Sequence, residues 1–237
     1  MSTYQEQAFR STTADRPVIE LDVGARAEFI TKTYLHVFAA MVAFVLFEVV
    51  FFAAGIAESL AKLVSGNGWF LFLGGYMLVA WMASQFAWRA RTLPIQYAGL
   101  TAFTALEALV FAPILWIAAN YFPGVITQAA IVTLGITAAL TMIVFITRKD
   151  FSFLRSFLWI GGIAVLGLFL LTGLTNFQVG TWVFGAIALL MCGSILYNTS
   201  NILHHYPSDR YVGAAQALFA SIATLFWYIL QIFMSRD

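Results

Sequence analysis

The sequence predicts an all-α membrane protein, a bundle of seven transmembrane helices, and three observations lead to this fold class. Of its 237 residues, 62% are hydrophobic and only 10% are charged, whereas a soluble domain carries about 25% charged residues. Charged residues are absent from the stretches 63–88, 108–147, 156–208 and 211–235, and one helical crossing takes about 20 apolar residues. The stretches are continuous in hydrophobicity, which argues against the alternating strands of a transmembrane β-barrel.

The predicted spans follow one another after a polar N-terminal segment. Turn-forming residues separate them, for example Pro123-Gly124 and Pro207-Ser208. The break at 173–180 holds glycines but no charged residue. We therefore predict a cytoplasmic tail at 1–32 and a single seven-helix transmembrane domain at 33–237. The predicted spans are 33–55, 69–88, 96–118, 127–147, 153–171, 181–202 and 212–234.

Lysine and arginine residues are distributed unevenly between the two sides of the predicted bundle. Ten lie in the tail or in the loops on the same side, whereas Lys62 and Arg236 lie on the opposite side. Basic loops stay cytoplasmic, so we predict a cytoplasmic N-terminus and a C-terminus on the far side. The ten are Arg10, Arg16, Arg26, Lys32, Arg89, Arg91, Arg148, Lys149, Arg155 and Arg210.

Two acidic residues, Glu48 and Glu107, fall within predicted spans. A charged side chain at the centre of a spanning helix costs about 2.5–3.5 kcal/mol, so each acid needs a partner, water or a bound proton. For Glu107, in the middle of span three, an ion or proton path and a protonated acid bonded to a neighbouring helix both remain open. For Glu48, late in span one, we favour the protonated, hydrogen-bonded acid. His36, at the start of span one, is interpreted as interfacial.

The last predicted span differs from the other six because polar residues recur along it at helical spacing. Ser221, Thr224, Tyr228, Gln231 and Ser235 are three or four residues apart, which places them on one face of a helix. A helix with such a face packs against other helices or a cavity and not against bare lipid. We therefore predict that the last helix lies near the centre of the bundle. Its polar stripe serves either interhelical hydrogen bonds or a hydrated pathway.

The sequence offers little for catalysis, for metal binding or for nucleic-acid binding. It contains no nucleophile elbow, no His-Glu-Xaa-Xaa-His motif and no phosphate-binding loop, so we predict no enzymatic activity and no cofactor. His204 and His205 stand beside amides and lack a nearby carboxylate, which makes a poor metal ligand set, and no metal is predicted. The chain also has no basic patch that would favour nucleic acid.

Four segments share an order and a spacing that are more specific together than any of them is alone. They are 103–109 (FTALEAL) with Pro113 after it, 147–154 (TRKDFSFL), 195–199 (ILYNT) and 217–221 (ALFAS). Together they resemble the Bax inhibitor family of multi-span membrane proteins, and the resemblance covers the chain from about residue 26 onward. The continuation at 199–204 (TSNILH) is most similar to the bacterial YccA-like branch of this family.

The resemblance implies a seven-helix bundle with the last helix near its centre. Each of the family's two late motifs carries an aspartate, and the pair is associated with proton sensing and with a calcium leak. In this chain Asn198 occupies the first aspartate position and Ser221 the second. An amide and a hydroxyl form hydrogen bonds but do not titrate near neutral pH, whereas two carboxylates that share a proton do. We therefore predict that the latch between the helices is kept and that the pH switch is lost.

The resemblance leaves two functions open. The first is a leak for calcium or another cation. The second is a non-conducting protein that binds and modulates another membrane protein, such as a quality-control protease, with which the YccA-like branch is associated. Both functions require the lipid bilayer, and the same branch implies the bacterial inner membrane as the location. The candidate ion-path or latch residues are Asn198, Ser221, Glu107, Arg89, Arg91 and Asp150.

Overall fold

The computed structural model describes residues 16–64, 85, 92–175 and 180–235. These residues form seven α-helices and one short 3-10 helix, Val18–Glu20. Six of the helices are long and apolar enough to cross a bilayer. The predicted span 69–88 lies outside the described residues except for Gln85. The structure therefore supports six of the seven crossings, and the count of seven stays a prediction. The helices are α1 Val23–Ala53, α2 Ile56–Val64, α3 Leu93–Tyr121, α4 Val125–Thr147, α5 Leu154–Leu174, α6 Thr181–His204 and α7 Tyr211–Met234.

The first helix is longer than its predicted span, because it begins at Val23 and not at residue 33. Asp22 caps it by accepting a hydrogen bond from the Ala25 backbone N–H at 2.9 Å. An ion pair between Glu28 and Lys32, 2.6 Å long and one turn apart, supports this polar extension. The charged residues that mark the tail in the sequence are therefore compatible with a helix that extends beyond the apolar span.

A short helix, α2, follows α1 and has no counterpart among the predicted spans. Gly55 separates the two helices with a φ of 72°, a conformation that glycine adopts without a steric cost. At nine residues, α2 is about 14 Å long and too short to cross a bilayer. It packs against α3 and α1.

Among the described helices, α7 packs against α1, α3, α4 and α6, which is the central position that its polar stripe predicts. α3 is enclosed as well, which the sequence did not predict. Its residue Phe111 is 2% exposed and connects three helices. The Phe111 ring centroid lies 5.1 Å from that of Phe44 on α1 and 4.9 Å from that of Trp227 on α7, with edge-to-face geometry in both pairs.

We call the end of the bundle where α1 and α7 begin the tail end, and the opposite end the far end. Aromatic contacts join helices at the tail end: Tyr34 of α1 meets Phe145 of α4 at 5.7 Å between ring centroids. His36 of α1 stacks on Tyr97 of α3 at 5.4 Å, and the Tyr97 hydroxyl lies 3.1 Å from that of Tyr211 on α7. These contacts fix the relative positions of four helices at this end.

Candidate functional site

The seam between α6 and α7 contains a cluster of polar side chains, Ser194, Asn198 and Ser221, which we call the seam cluster. Ser194 and Asn198 are four residues apart and therefore share one face of α6. From this face Asn198 Nδ2 donates to Ser221 Oγ on α7 at 2.9 Å. The Ser194 and Ser221 hydroxyl oxygens are 2.8 Å apart. The structure thus brings together Asn198 and Ser221, the two residues that the resemblance assigns to the family's aspartate positions.

Backbone and loop groups complete the hydrogen bonding of the seam cluster. The Ala217 carbonyl of α7 lies 3.3 Å from Asn198 Nδ2 and 3.1 Å from Ser221 Oγ. On the other side of the amide, the Tyr206 hydroxyl donates to Asn198 Oδ1 at 3.5 Å. Burial raises the pKa of Tyr206, so its hydroxyl stays protonated and remains a donor. A buried polar group is tolerated when its hydrogen-bonding capacity is used, and Asn198 meets that condition.

The chemistry of the seam cluster follows from its neutral groups. None of its members is a carboxylate, and neither an amide nor an aliphatic hydroxyl gains or loses a proton near neutral pH. The repulsion that separates the pKa values of two neighbouring acids is therefore absent. The cluster can connect α6 to α7, but it cannot change its charge in response to pH.

The loop between α4 and α5 docks on the tail end of α6 through Asp150 and its neighbours. The Phe151 backbone N–H donates to Ser200 Oγ at 2.9 Å, and His205 Nε2 lies 2.9 Å from Asp150 Oδ2. Burial acts to raise the pKa of Asp150, but hydrogen bonds from the Ser152 backbone and from His205 outweigh it, and the pKa is lowered overall. Asp150 thus anchors a loop to α6 two residues beyond Asn198, at Ser200.

The other candidate residues lie elsewhere. Glu107 is buried in the middle of α3, on a different helix from the seam cluster. Arg89 and Arg91 fall outside the described residues, so their proposed part in an ion path stays a prediction. Within the described part of the chain, no group of three or more His, Cys, Asp or Glu side chains could hold a metal ion.

The polar stripe of α7 divides into groups with different partners. Ser221 bonds across to α6, whereas the Thr224 hydroxyl donates to the Ala220 carbonyl of its own helix at 2.8 Å. Sequence reasoning missed Ser194 and Tyr206 in the seam. Ser194 could have been found, because it lies one helical turn before Asn198. Tyr206 had no such signal, since it reaches Asn198 from a loop.

The fold and the seam define a helical integral membrane protein whose sixth and seventh described helices are joined by a buried polar contact. The family model described as inhibitor of apoptosis-promoting Bax1 matches residues 26–237, which confirms the extent of the resemblance in the sequence. The chain therefore belongs to the Bax inhibitor family.

Individual relatives agree with this assignment. The chain is 30% identical to Bax inhibitor 1 of Schizosaccharomyces pombe, over 98% of this chain and 87% of the relative. It is 34% identical to Protein LIFEGUARD 4 of Arabidopsis thaliana, over 61% of this chain and 59% of the relative. A Golgi anti-apoptotic protein of Vaccinia virus is 30% identical over 59% and 58% of the two chains. No solved structure gives a significant match.

Proposed function

We propose that this chain is a cation leak protein of the Bax inhibitor type, with calcium as a candidate ion, whose α6–α7 latch does not respond to pH. The observation that carries the proposal is the 2.9 Å hydrogen bond from Asn198 Nδ2 to Ser221 Oγ. It joins the two helices at the positions where the family pattern has acids. The bundle would therefore keep its latch in one state over the pH range in which a carboxylate pair would switch.

We expect cation conduction to be weak, and we expect the seam to discriminate little between calcium and other cations. Calcium prefers several oxygen ligands, among them carboxylates, and the seam cluster supplies no carboxylate. Its amide and hydroxyl groups are already engaged with one another. Glu107, a buried acid in the middle of α3, is our candidate for a cation path. We therefore expect Glu107→Gln to reduce flux while leaving its pH dependence unchanged.

Flux into liposomes that contain a calcium dye tests the proposal. The wild-type protein should leak calcium at a rate that changes little between about pH 5 and 8. The double variant Asn198→Asp/Ser221→Asp should introduce a pH-dependent rate, and the two single variants, which lack a carboxylate pair, serve as matched controls. Flux no higher than in empty liposomes at every pH would rule out the leak. A flat pH response in the double variant would rule out the latch.

A second candidate function is supported by α5. This helix packs mainly against α6 and exposes Phe157, Trp159 and Ile160, a surface that suits a membrane protein partner as well as lipid. The chain would then modulate another membrane complex, such as a protease, without conducting ions. A photo-crosslinking amino acid at position 159 in native membranes distinguishes the two occupants. Reproducible crosslinks to one protein support this function, and crosslinks to lipid alone contradict it.

The location and orientation belong to the same proposal. We place the chain in a bacterial inner membrane with its N-terminus in the cytoplasm, on the strength of the basic tail-side loops and the YccA-like run. We propose no enzymatic activity. Cysteine labelling in a Cys192→Ser background tests the orientation, since Ser152→Cys should be shielded from an impermeant reagent in intact cells and Tyr121→Cys should react. The reverse pattern would overturn the orientation.

A further inference from the structure

α1 and α4 are in contact near the tail end and separate toward the far end. Tyr34 and Phe145 join them at the tail end. Beyond this contact a groove of about 530 Å³ lies between the far-end halves of the two helices, with α7 as its floor. This volume is within the range of about 300–1,000 Å³ typical of small-molecule sites. The groove faces the region that the bilayer occupies, because Val45 and Val49 on its α1 wall are also exposed on the bundle surface.

The walls of the groove are almost entirely hydrocarbon. The apolar side chains that line it include Phe44, Phe52, Ile126, Leu134, Phe219 and Phe226. Thr133 also lines the groove, but its hydroxyl donates to the Ala129 carbonyl of its own helix at 2.7 Å. An occupant that matches these walls therefore carries an aliphatic chain.

Glu48 is the exception among the lining residues. Its side chain comes from α1, and the residue is only 7% exposed. Neither carboxylate oxygen has a hydrogen-bond partner among the described residues, so the bond to a neighbouring helix that the sequence led us to expect is not found there. A buried polar group without a partner costs about 1–3 kcal/mol, and more when it is charged. The groove thus combines apolar walls with the Glu48 carboxyl group, whose oxygens accept no hydrogen bond from the described residues.

We propose that this groove binds a long-chain primary amine from the bilayer, with its chain against the aromatic walls and its amino group on Glu48. An ammonium group supplies up to three donors and a positive charge, which compensates a carboxylate in both respects. A fatty acid would bring a second negative charge beside Glu48. A divalent metal ion would need further acidic ligands, and the described residues contain no such group of ligands.

The position of Glu48 along α1 agrees with an amphiphile that enters from the far-end leaflet. Glu48 lies one turn before Phe52, close to the far end of α1, and about two turns beyond Met41, where the groove begins. The chain of such an amphiphile would run from Glu48 toward Met41 along the floor formed by α7. Its amino group would lie at Glu48, in the part of the groove nearer the far end.

Competition binding to the purified full chain in nanodiscs tests the site. A photoactivatable long-chain amine is the labelled probe, and hexadecylamine, hexadecanol and palmitate are the competitors, which share chain length and differ in head group. We expect hexadecylamine to compete at least about tenfold better than hexadecanol and palmitate to be the weakest. Glu48→Gln should remove the preference for the amine and leave hexadecanol binding within about twofold, where tenfold corresponds to about 1.4 kcal/mol.

Two further variants keep the test specific. Glu58→Gln removes an exposed acid that pairs with Lys62 on α2 and should leave all three affinities unchanged. Ala130→Phe places a ring in the groove and should weaken all three competitors together, while the far-ultraviolet spectrum and the elution volume report a folded protein. The probe should label α1 and α4 peptides.

Three outcomes would overturn the proposal. The first is equal competition by the amine, the alcohol and the acid, because it would mean that Glu48 selects nothing. The second is an effect of Glu58→Gln as large as that of Glu48→Gln, since it would reflect net charge and not the groove. The third is a crosslink from position 130 to residues 69–88 in the absence of probe, which would make a segment of this chain the occupant.

Discussion

The two faces of α7 differ in the hydrogen bonding of the buried polar groups beside them. Toward α6 it forms a closed seam in which Asn198 and Ser221 bond at 2.9 Å and both also meet the Ala217 carbonyl. Toward α1 and α4 it forms the floor of an open groove, in which the Glu48 carboxylate has no hydrogen-bond partner among the described residues. The polar groups of the seam are uncharged and bonded to one another, whereas the carboxyl group in the groove meets no donor from the described part of the chain.

This difference separates two roles within one bundle. A satisfied neutral network stabilises a single arrangement of helices and does not depend on pH. An unsatisfied acid in an apolar channel lowers stability until something donates to it, which is the behaviour of a binding site. We therefore expect substitutions in the seam to lower stability. Substitution of Glu48 in the groove should change ligand binding and raise stability.

The largest expected effect on the free energy of unfolding comes from packing, which we compare between α6 beside the seam and the rim of the groove. Ile195 of α6 is fully buried, whereas Leu134 on the rim of the groove is 52% exposed. Ile195→Ala should cost about 2–5 kcal/mol of the free energy of unfolding, and Leu134→Ala less than about 0.5 kcal/mol. Denaturation in mixed micelles measures both. Equal losses would mean that the groove is as closely packed as the seam.

Next in size is the loss of the seam amide. Asn198→Ala should lower the free energy of unfolding by about 1–3 kcal/mol, because Tyr206 and Ser221 lose a buried partner. A double-mutant cycle with Ser221→Ala should give a coupling of at least about 0.5 kcal/mol. The matched control is Asn120→Ala, at an exposed amide whose Nδ2 donates to the Trp116 carbonyl of its own helix at 2.8 Å. A coupling near zero would contradict the latch.

Replacement of the groove acid, Glu48, should change the free energy of unfolding in the opposite direction and stabilise the protein. In the absence of added amine, Glu48→Leu should raise the free energy of unfolding by about 1 kcal/mol, since it removes a buried acceptor without a partner. Glu58→Leu, at an exposed ion pair with Lys62, should change stability by less than about 1 kcal/mol. Thermal unfolding in the same detergent compares the two variants. A marked loss of stability in Glu48→Leu would show that this acid already has a partner.

The smallest effect concerns the docked loop and its pH dependence. The pKa of Asp150 is lowered below its ordinary value of 3.8, so its ionised form stabilises the fold. This contribution is complete above pH 3.8 and is lost as the pH falls toward the lowered pKa. Because the pair with His205 is about half exposed, it contributes only about 0.2–1 kcal/mol. Asp150→Asn should flatten the acid limb of the stability curve, and an unchanged limb would contradict this assignment.

The contact at the seam was predictable, but its surroundings were only partly so. Asn198 and Ser221 occupy positions that resemble family motifs, and the resemblance alone places them side by side. Ser194 carries a signal in its spacing from Asn198. Tyr206 and the docking of Phe151 on Ser200 carry none, because they depend on how loops fold back onto the end of α6.

The helices themselves were predicted better than their packing. The apolar stretches of the sequence locate α3 to α7 to within a few residues. They place the start of α1 ten residues too late, and they miss α2, which is short and carries charged residues. The enclosure of α3 was not predictable from its composition, since lipid-facing and protein-facing residues of a spanning helix are both apolar. The groove has the same origin, because it arises from the divergence of two helices and only Glu48 marks it in the sequence.

We expect the contact between Tyr34 and Phe145 to act as a pivot for tilting of α1. The two rings hold α1 against α4 near one end, while residues 41–52 of α1 pack on α3 and α7 and face α4 across the open groove. A tilt of about 5° around that fulcrum displaces Phe52 by about 2 Å, because α1 rises about 27 Å between Tyr34 and Phe52. Neither ring lines the groove, so we expect the contact to control the width of the groove from a distance. Phe145→Ala should then broaden the distribution of distances between spin labels at positions 49 and 134.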